Sequence, residues 1–517
     1  MKFCLLQFTK KRPGDEKGWG MKIAVKDIGK MIKSDIVNKI AYMYMTIPII
    51  IFVLFWLEWY IVLPMIILLL FCVYKIWKHE ETENFSNEVF KEKKKCIIIL
   101  LILFFWVAIS GIGKLAYQNE DHIWRNTMFE SLCQYRWPVV RDILQDGVWV
   151  ERGFSYYIGF WLPAAAVGKV FGVEVGYFVQ VIWALIGVFL LYYKICELFK
   201  KVLIWPLFIF IFFSGMDILG CYLLGMDIFE FSSTLHLEVW CSQLQYSSFT
   251  TQLFWVFNQA IPAWLATMMI LSTKNNKNIV FIYATTLLHC TLPAIGMLPI
   301  LFCKILKTKY GKNKQFHIEW WKCLCRDVVT FENITGILIV ILSMLYLARD
   351  ASIEKFTLFS FQNGGWLLYI LFLLMEIGGL AIVSYWANKT NMWYYVCLVW
   401  LIICPLPQVY GENNFCMRAC IPALLILYLC VIKAILYYKR NSMKIHLASL
   451  TIVLLIGAVT PVHEILRSFW GARTAYWSEE KTVAAESLTI EDVLTNDYES
   501  VNVSESFFFQ YLAQKKE

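Results

Sequence analysis

The clearest feature of this sequence is a series of long apolar segments between residues 41 and 463. A helix needs about 20 apolar residues to cross the hydrocarbon of a bilayer, and these segments are too many and too free of charge for a soluble fold. We predict an all-α polytopic membrane protein with about thirteen transmembrane helices. The predicted spans are 41–57, 60–77, 96–113, 174–193, 202–216, 252–271, 278–289, 292–306, 331–348, 366–386, 393–409, 419–438 and 445–463.

The first two spans are separated because 41–77 would form a helix about 55 Å long, and Glu58 and Trp59 interrupt it. The segment 154–172 leaves two interpretations open. It could be a further span, or it could lie in the outer interface, where aromatic residues are common. A span there would move the loop 304–330, with seven basic residues, to the outside. The positive-inside rule therefore favours the interfacial interpretation, a cytoplasmic N-terminus and an extracytoplasmic C-terminus.

The composition agrees with a membrane protein. Charged residues make up 17% of the chain, against about 25% in soluble domains. The net charge of +8 reflects basic inner loops, so no nucleic-acid partner is expected. No secretory signal peptide is visible at the N-terminus. Most cysteines lie in apolar segments, while disulfides could form among four in predicted outer segments: Cys133, Cys221, Cys241 and Cys416.

Two terminal segments flank the predicted membrane domain, 41–463. Residues 1–40 are basic, and isoleucines spaced by four residues within 21–40 predict an amphipathic helix on the cytoplasmic leaflet, or else a plain extension of the first span. The C-terminal tail, 464–517, is predicted to be extracytoplasmic. Its aromatic end is expected to fold back onto the outer face.

The first outer loop, 114–173, is polar and aromatic, and we predict short helices along the membrane surface there. Glu120, Asp121, His122 and Arg125 cluster just after a span. A carboxylate at this boundary could act as a general base toward a hydroxyl group or bind a divalent cation. The same residues could equally form a solvated loop with helix-capping acids.

Two other outer segments carry candidate chemistry. The segment 217–251 contains no Lys or Arg, and its weak metal-ligand candidates are Asp217, His236 and Glu238. Its hydroxyl-rich end after Gln245 would suit sugar binding or an ordinary helix cap. In 410–418, Asn414 and Arg418 stand at the outer end of a helix, where an arginine could hold a phosphate or reach toward lipid headgroups.

Several short motifs support a family resemblance. They are Tyr156-Tyr157, Leu162-Pro163, Lys169, Gly172 and Glu174, together with Gln118-Asn119-x-Asp121, Trp137-Pro138-Val139, Ser214-Gly215-Met216-Asp217 and Asn414-Phe415-x-Met417-Arg418. With a cytoplasmic N-terminus and a long first outer loop, this pattern resembles the GT-C superfamily of membrane glycosyltransferases, and in particular bacterial members of that broad type. The resemblance covers roughly 96–440, mostly as architecture.

The resemblance implies an enzyme of the cell envelope that takes sugar from a polyprenyl-phosphate donor in the membrane lipid. The acceptor would be a glycan, a lipid or a protein. In that superfamily the acidic residue of the first outer loop is the catalytic base or a metal ligand. Asp121 matches this position, with Glu120 as the second choice. The chain departs from the pattern by an extra N-terminal hairpin and by lacking Asp-x-Asp, so no cofactor is assigned beyond a candidate divalent cation.

We therefore predict a plasma-membrane glycosyltransferase. Asp121 would be catalytic, and the expected substrate-binding residues are Arg125, Arg418, His122, Gln245 and Asn414. Other functions stay open: a surface-polysaccharide polymerase or ligase relying on arginines and a histidine, a transporter or lipid-carrier flippase, and a structural subunit. A transporter is expected to carry paired broken helices and several charges deep in its spans. In the sequence, Glu376 is the only acid well within a predicted span.

Overall fold

A computed structural model describes residues 36–79, 85, 89, 91–145, 147–226, 236–310, 325–348, 356–409, 413–477 and 499–515. The helices are α1 Ile36–Trp56, α2 Trp59–His79, α3 Lys93–Ala108, α4 Asp121–Gln134, α5 Leu162–Phe171, α6 Val173–Phe199, α7 Trp205–Ile211, α8 Asp217–Leu223, α9 Phe249–Ser272, α10 Ile279–Leu287, α11 Thr291–Tyr310, α12 Phe331–Leu347, α13 Gly365–Asn388, α14 Met392–Ile403, α15 Asn414–Ala419, α16 Ile421–Arg440, α17 Lys444–Gly457, α18 Val459–Trp477 and α19 Phe507–Tyr511. The strands are β1 Val140–Gln145, β2 Val148–Phe154, β3 Phe356–Leu358, β4 Pro407–Val409 and β5 Glu499–Val501.

Among the described residues, seven helices are long and apolar enough to cross a membrane: α1, α2, α6, α9, α13, α16 and the continuous helix Lys444–Arg473 formed by α17 and α18. Two of them form the centre, because 94% of the apolar window of α9 and 83% of that of α16 are buried. In α2 the value is only 22%, so its apolar side chains face outward. Contiguous outward apolar surface of this extent is what lipid covers. The chain therefore fits an all-α, multi-pass membrane protein.

The expected spans 202–216 and 393–409 are not continuous helices in the structure. The segment 202–216 contains only the seven-residue α7, about 10 Å long, and 393–409 ends its helix at Ile403 before strand β4. A third prediction placed the end of the last helix too early, because α18 continues to Trp477. Apolar composition alone did not reveal these boundaries, since buried irregular backbone is as apolar as a spanning helix.

The outer loop 114–173 is only partly helical. Helix α4 is present as expected, but β1 and β2 form an antiparallel hairpin in which Val140 pairs with Gly153, and β5 from the tail adds a third strand to it. The expected short helices are thus represented by α4, while 140–145 and 148–154 form strands instead. The following helix, α5, has ten residues and spans about 15 Å, which is too short to cross the bilayer by itself.

The contacts of α1 distinguish the two ends of the helix bundle. At its first turn, Asn38 donates a hydrogen bond to Glu197 at the end of α6 (2.9 Å). At its last turn, Trp56 packs against Trp137 of the outer loop with ring centroids 4.9 Å apart. The first loop and the α1–α2 turn therefore share one end, as the predicted topology requires.

The end of the chain folds back onto the same end of the bundle. The backbone N–H of Glu58 donates to the carbonyl of Leu512 (2.8 Å). Phe508 is buried between Phe52 and Tyr346. Residues 499–515 thus pack on this end of the bundle, and the prediction that this end is the outer face stays a prediction. Most of the predicted N-terminal amphipathic helix lies outside the described residues.

A non-helical segment between α7 and α8 packs against a distorted turn of α13. Residues 212–216 between α7 and α8 are not helical, and the N–H of Met216 donates to the carbonyl of Met375 (2.9 Å). Residues Leu374–Gly378 form a π-helical turn within α13. Gly215 makes this approach sterically feasible, because a Cβ there would lie 2.6 Å from the Cα of Glu376.

Candidate functional site

The candidate site is built around the first turn of α4. Its first residue, Asp121, accepts a hydrogen bond from Nη2 of Arg125 one turn later (2.8 Å). The Asp121 side chain is 39% exposed, while that of Arg125 is only 9% exposed. The helix therefore places a solvent-accessible carboxylate above a buried guanidinium, an arrangement that the i, i+4 spacing of α4 dictates.

Arg418 acts on the same carboxylate from a distant part of the sequence. Burial alone would raise the pKa of Asp121, but the charge and hydrogen bond of Arg125, followed by the charges of Arg418 and His122, lower it below its usual value. Asp121 is therefore ionised at neutral pH. The structure brings the two predicted residues Asp121 and Arg418 within electrostatic reach of each other, although nearly 300 residues separate them.

Helix α15 holds the Arg418 guanidinium in place. Nη1 of Arg418 donates to the side-chain oxygen of Asn414 (2.6 Å) and to its carbonyl (3.2 Å). The Nε atom of Arg418 is buried and has no hydrogen-bond partner in the structure. A buried donor without a partner costs free energy, so an acceptor brought by a ligand would satisfy it.

Tyr157 lies beside these arginines. Its hydroxyl accepts a hydrogen bond from Nε2 of Gln259 on α9 (2.9 Å) and another from the hydroxyl of Tyr156. Burial raises the pKa of Tyr157, and the charges of Arg418 and Arg125 oppose the rise. The hydroxyl thus keeps its proton and, because it already accepts twice, offers that proton as a donor.

A second cationic group enters from α18. Nη1 of Arg467 lies 2.6 Å from Nδ1 of His236 and donates to Glu464 (3.0 Å). Glu464 also accepts from the indole of Trp255 (2.6 Å). Burial and then the Arg467 charge lower the pKa of His236 to about 3, while Asp121 opposes this shift. His236 is therefore neutral, contacts Arg467 and lies within electrostatic reach of Asp121.

His122 is a buried histidine with both nitrogens engaged by the chain itself. Nε2 lies 3.1 Å from the carbonyl of Phe254, and Nδ1 lies 3.2 Å from Nε2 of Gln118. Because a carbonyl can only accept, Nε2 carries the proton and Nδ1 accepts from Gln118. Burial and then Arg125 lower the pKa of His122 to about 3. These contacts give His122 a supporting position, and its predicted contact with substrate stays a prediction.

Gln245 supports helix α15, which carries Arg418, through hydrogen bonds at the start of that helix. Its side chain is buried, accepts from Asn413 (2.6 Å), and donates to Glu238 (3.2 Å) and Ser247 (3.0 Å). Gln245 thus ties the segment before α9 to the start of α15. Direct sugar binding by Gln245 stays a prediction.

The remaining candidate residues differ in how far they are exposed to solvent. Glu120 is exposed and precedes α4, whereas the metal candidates Asp217 and Glu238 are buried. Within the part of the chain that the structure describes, no group of three or more His, Cys, Asp or Glu residues could hold a metal ion. Cys133, Cys221, Cys241 and Cys416 are buried free thiols, so none of the possible disulfides among them is formed.

Sequence reasoning missed Glu464 and Arg467 because it ended the last helix at residue 463. Their spacing of three residues on a continuing helix was the available signal. Tyr157 was singled out only through the motifs of the family resemblance.

No family model matches this sequence, and no curated protein or solved structure matches it either.

Proposed function

We propose that this protein transfers a sugar from a polyprenyl-phosphate donor to a hydroxyl acceptor on the extracytoplasmic face of the plasma membrane. The observation that carries the proposal is the accessible, ionised carboxylate of Asp121, which is bound by Arg125 and lies within electrostatic reach of Arg418. One group can take a proton while the others bind an anion, as transfer from a lipid phosphate requires.

The reaction would be a single displacement with inversion. Asp121 takes the proton of the acceptor hydroxyl, the acceptor oxygen bonds to the anomeric carbon, and the bond from that carbon to the phosphate oxygen breaks. The electron pair leaves with the polyprenyl phosphate. Arg418, whose Nε lacks a partner, and Arg125 stabilise the charge that develops on this leaving group. The outward apolar surfaces of the peripheral helices would give the prenyl chain access from lipid.

Transfer can be measured with the purified protein and polyprenyl-phosphate donors labelled in the sugar, using a panel of hexoses and pentoses. Membranes from cells lacking the gene would supply the acceptor. We expect Asp121→Asn to lower the initial rate at least about 100-fold, because the amide cannot accept the proton. Asp142→Asn, an exposed residue on β1, is the matched control and should transfer at the wild-type rate.

The same assay decides between Asp121 and Glu120 as the catalytic base. Loss of transfer in Glu120→Gln but not in Asp121→Asn would move the catalytic role to Glu120. Failure of folded wild-type protein to transfer from every donor would refute the proposal.

A transporter or lipid-carrier flippase is the second candidate, favoured by the non-helical break between α7 and α8 beside the π-turn of α13. Broken helices at membrane depth are typical of substrate sites in transporters. Movement of a labelled lipid-linked sugar across vesicles, without transfer to an acceptor, would favour this function over the first.

A further inference from the structure

A second group of acids lies where α8, the π-turn of α13 and α18 meet. Asp217 and Glu376 are buried, with 0% and 2% of their surfaces exposed. Glu376 is at the centre of the π-turn, and Asp217 is the first residue of α8. The two carboxyl groups lie within hydrogen-bonding reach of each other.

Each carboxyl group has one oxygen satisfied by the protein and one that is not. Oδ2 of Asp217 accepts from the hydroxyls of Ser214 (2.9 Å) and Thr460 (2.8 Å). Oε1 of Glu376 accepts from the indole of Trp240 (2.8 Å). Oδ1 of Asp217 and Oε2 of Glu376 are buried and receive no hydrogen bond from any protein donor in the structure.

Among the described residues that act on this pair, no cationic group appears. The titratable groups that face it are Glu238 and the thiols of Cys221, Cys241 and Cys420, none of which is cationic. The segment 217–251, which leads from α8 to α9, contains no Lys or Arg at any position. Two buried carboxylates in contact cannot both ionise without a cation, since each desolvated charge is costly and they repel each other.

We propose that Asp217 and Glu376 bind one proton between them, forming a proton site inside the membrane domain. The proton lies between Oε2 of Glu376 and Oδ1 of Asp217 and supplies the donor that both oxygens lack. It belongs mainly to Glu376, because the two hydroxyl hydrogen bonds make Asp217 the better holder of the negative charge. This site does not depend on the proposed glycosyl transfer.

The proton site shares two structural elements with the Arg467–His236 group. Thr460, which donates to Asp217, lies one turn before Glu464 and two turns before Arg467 on α18. Trp240, which donates to Glu376, lies four residues after His236. Both helix α18 and the 236–240 segment therefore contact the proton site and the Arg467–His236 group.

Infrared spectroscopy of the protein in dodecyl maltoside, a detergent without a carbonyl group, tests the proposal. A protonated carboxyl gives a C=O stretching band that shifts in D2O, whereas a carboxylate does not. An amide replaces a protonated carboxyl in shape and hydrogen bonding, so Glu376→Gln should retain the fold and lose one such band at neutral pH. Glu130→Gln is the matched control, because Glu130 pairs with Lys114 (3.1 Å) and contributes no protonated carboxyl.

Asp217→Asn gives an independent second measurement. It should also lose one band, because the asparagine amide can donate to Glu376 and the negative charge then moves there. It should unfold at a lower temperature than Glu376→Gln, since the negative charge leaves position 217, where two hydroxyl groups donate hydrogen bonds to it. Bands unchanged from wild type in both folded variants would overturn the proposal, as would an equal loss in Glu130→Gln.

Discussion

Asp121 and the Asp217–Glu376 pair are acidic regions at two places in the same helix bundle, and their neighbours differ. Asp121 is 39% exposed and is bound by Arg125, with Arg418 acting on it from α15. Asp217 and Glu376 are buried and have hydroxyls, an indole and other acids around them. Guanidinium groups stabilise the ionised form in the first region, whereas only a proton can compensate the negative charge in the second. The local cation supply therefore separates a candidate base from a candidate proton site.

The largest expected effect tests the role of the arginines in the first region. Arg418→Ala should lower sugar transfer about 100-fold, the cost of removing one donor that stabilises developing charge. Arg418→Lys should lie between, because lysine keeps the charge but not the planar fork. Initial rates at saturating donor measure both effects.

Arg440→Ala, at the far end of α16, is the control for Arg418 and should leave transfer unchanged. Equal rates in the Arg418 and Arg440 variants would place Arg418 outside the reaction and would remove the functional contrast between the two regions.

Asp121 and Glu238, an acid that faces the buried pair, should respond to pH in opposite directions. The pKa of Asp121 is lowered in the folded protein, so its stabilising contribution is present above its unfolded pKa of about 4 and is lost as the pH falls. Burial, and then the charge of Asp217, raise the pKa of Glu238 to about 8. Its contribution is therefore present at acid pH and is lost as the pH rises through about 8.

Thermal unfolding in detergent from pH 3 to 9 measures how stability changes with pH on the acid side and on the alkaline side, here called the acid limb and the alkaline limb. Glu238→Gln should flatten the alkaline limb and leave the acid one, whereas Asp121→Asn should flatten the acid limb only. Identical profiles in wild type and both variants would contradict the comparison.

The smallest expected effect concerns the support of Arg418. Asn414→Ala removes the 2.6 Å hydrogen bond to its guanidinium but retains the charge. A single neutral partner contributes about 1 kcal/mol, so transfer should fall about fivefold, with a higher KM for the lipid donor. Asn414→Asp should restore the rate, because a carboxylate also accepts from Arg418. Failure of this rescue would assign Asn414 a direct contact with substrate.

The membrane class follows from the sequence, because long uncharged apolar segments have no other stable environment. The sequence also singled out Asp121, Arg125 and Arg418, since charges at the predicted ends of spans are conspicuous. It did not show the β1–β2 hairpin, the break between α7 and α8 or the continuation of α18. At these places neighbouring segments supply the hydrogen bonds and packing that decide the conformation.

What the sequence determined by itself is thus the class of the protein and which ionisable residues stand inside or outside its apolar segments. Only the tertiary structure decided which of those residues meet. Arg418 reaches Asp121, Arg467 reaches His236, and Asp217 reaches Glu376 across intervals of 159 to 297 residues. The physical reason is that helix packing sets such distances, and packing depends on side chains throughout the bundle, whereas hydropathy depends only on neighbours along the chain.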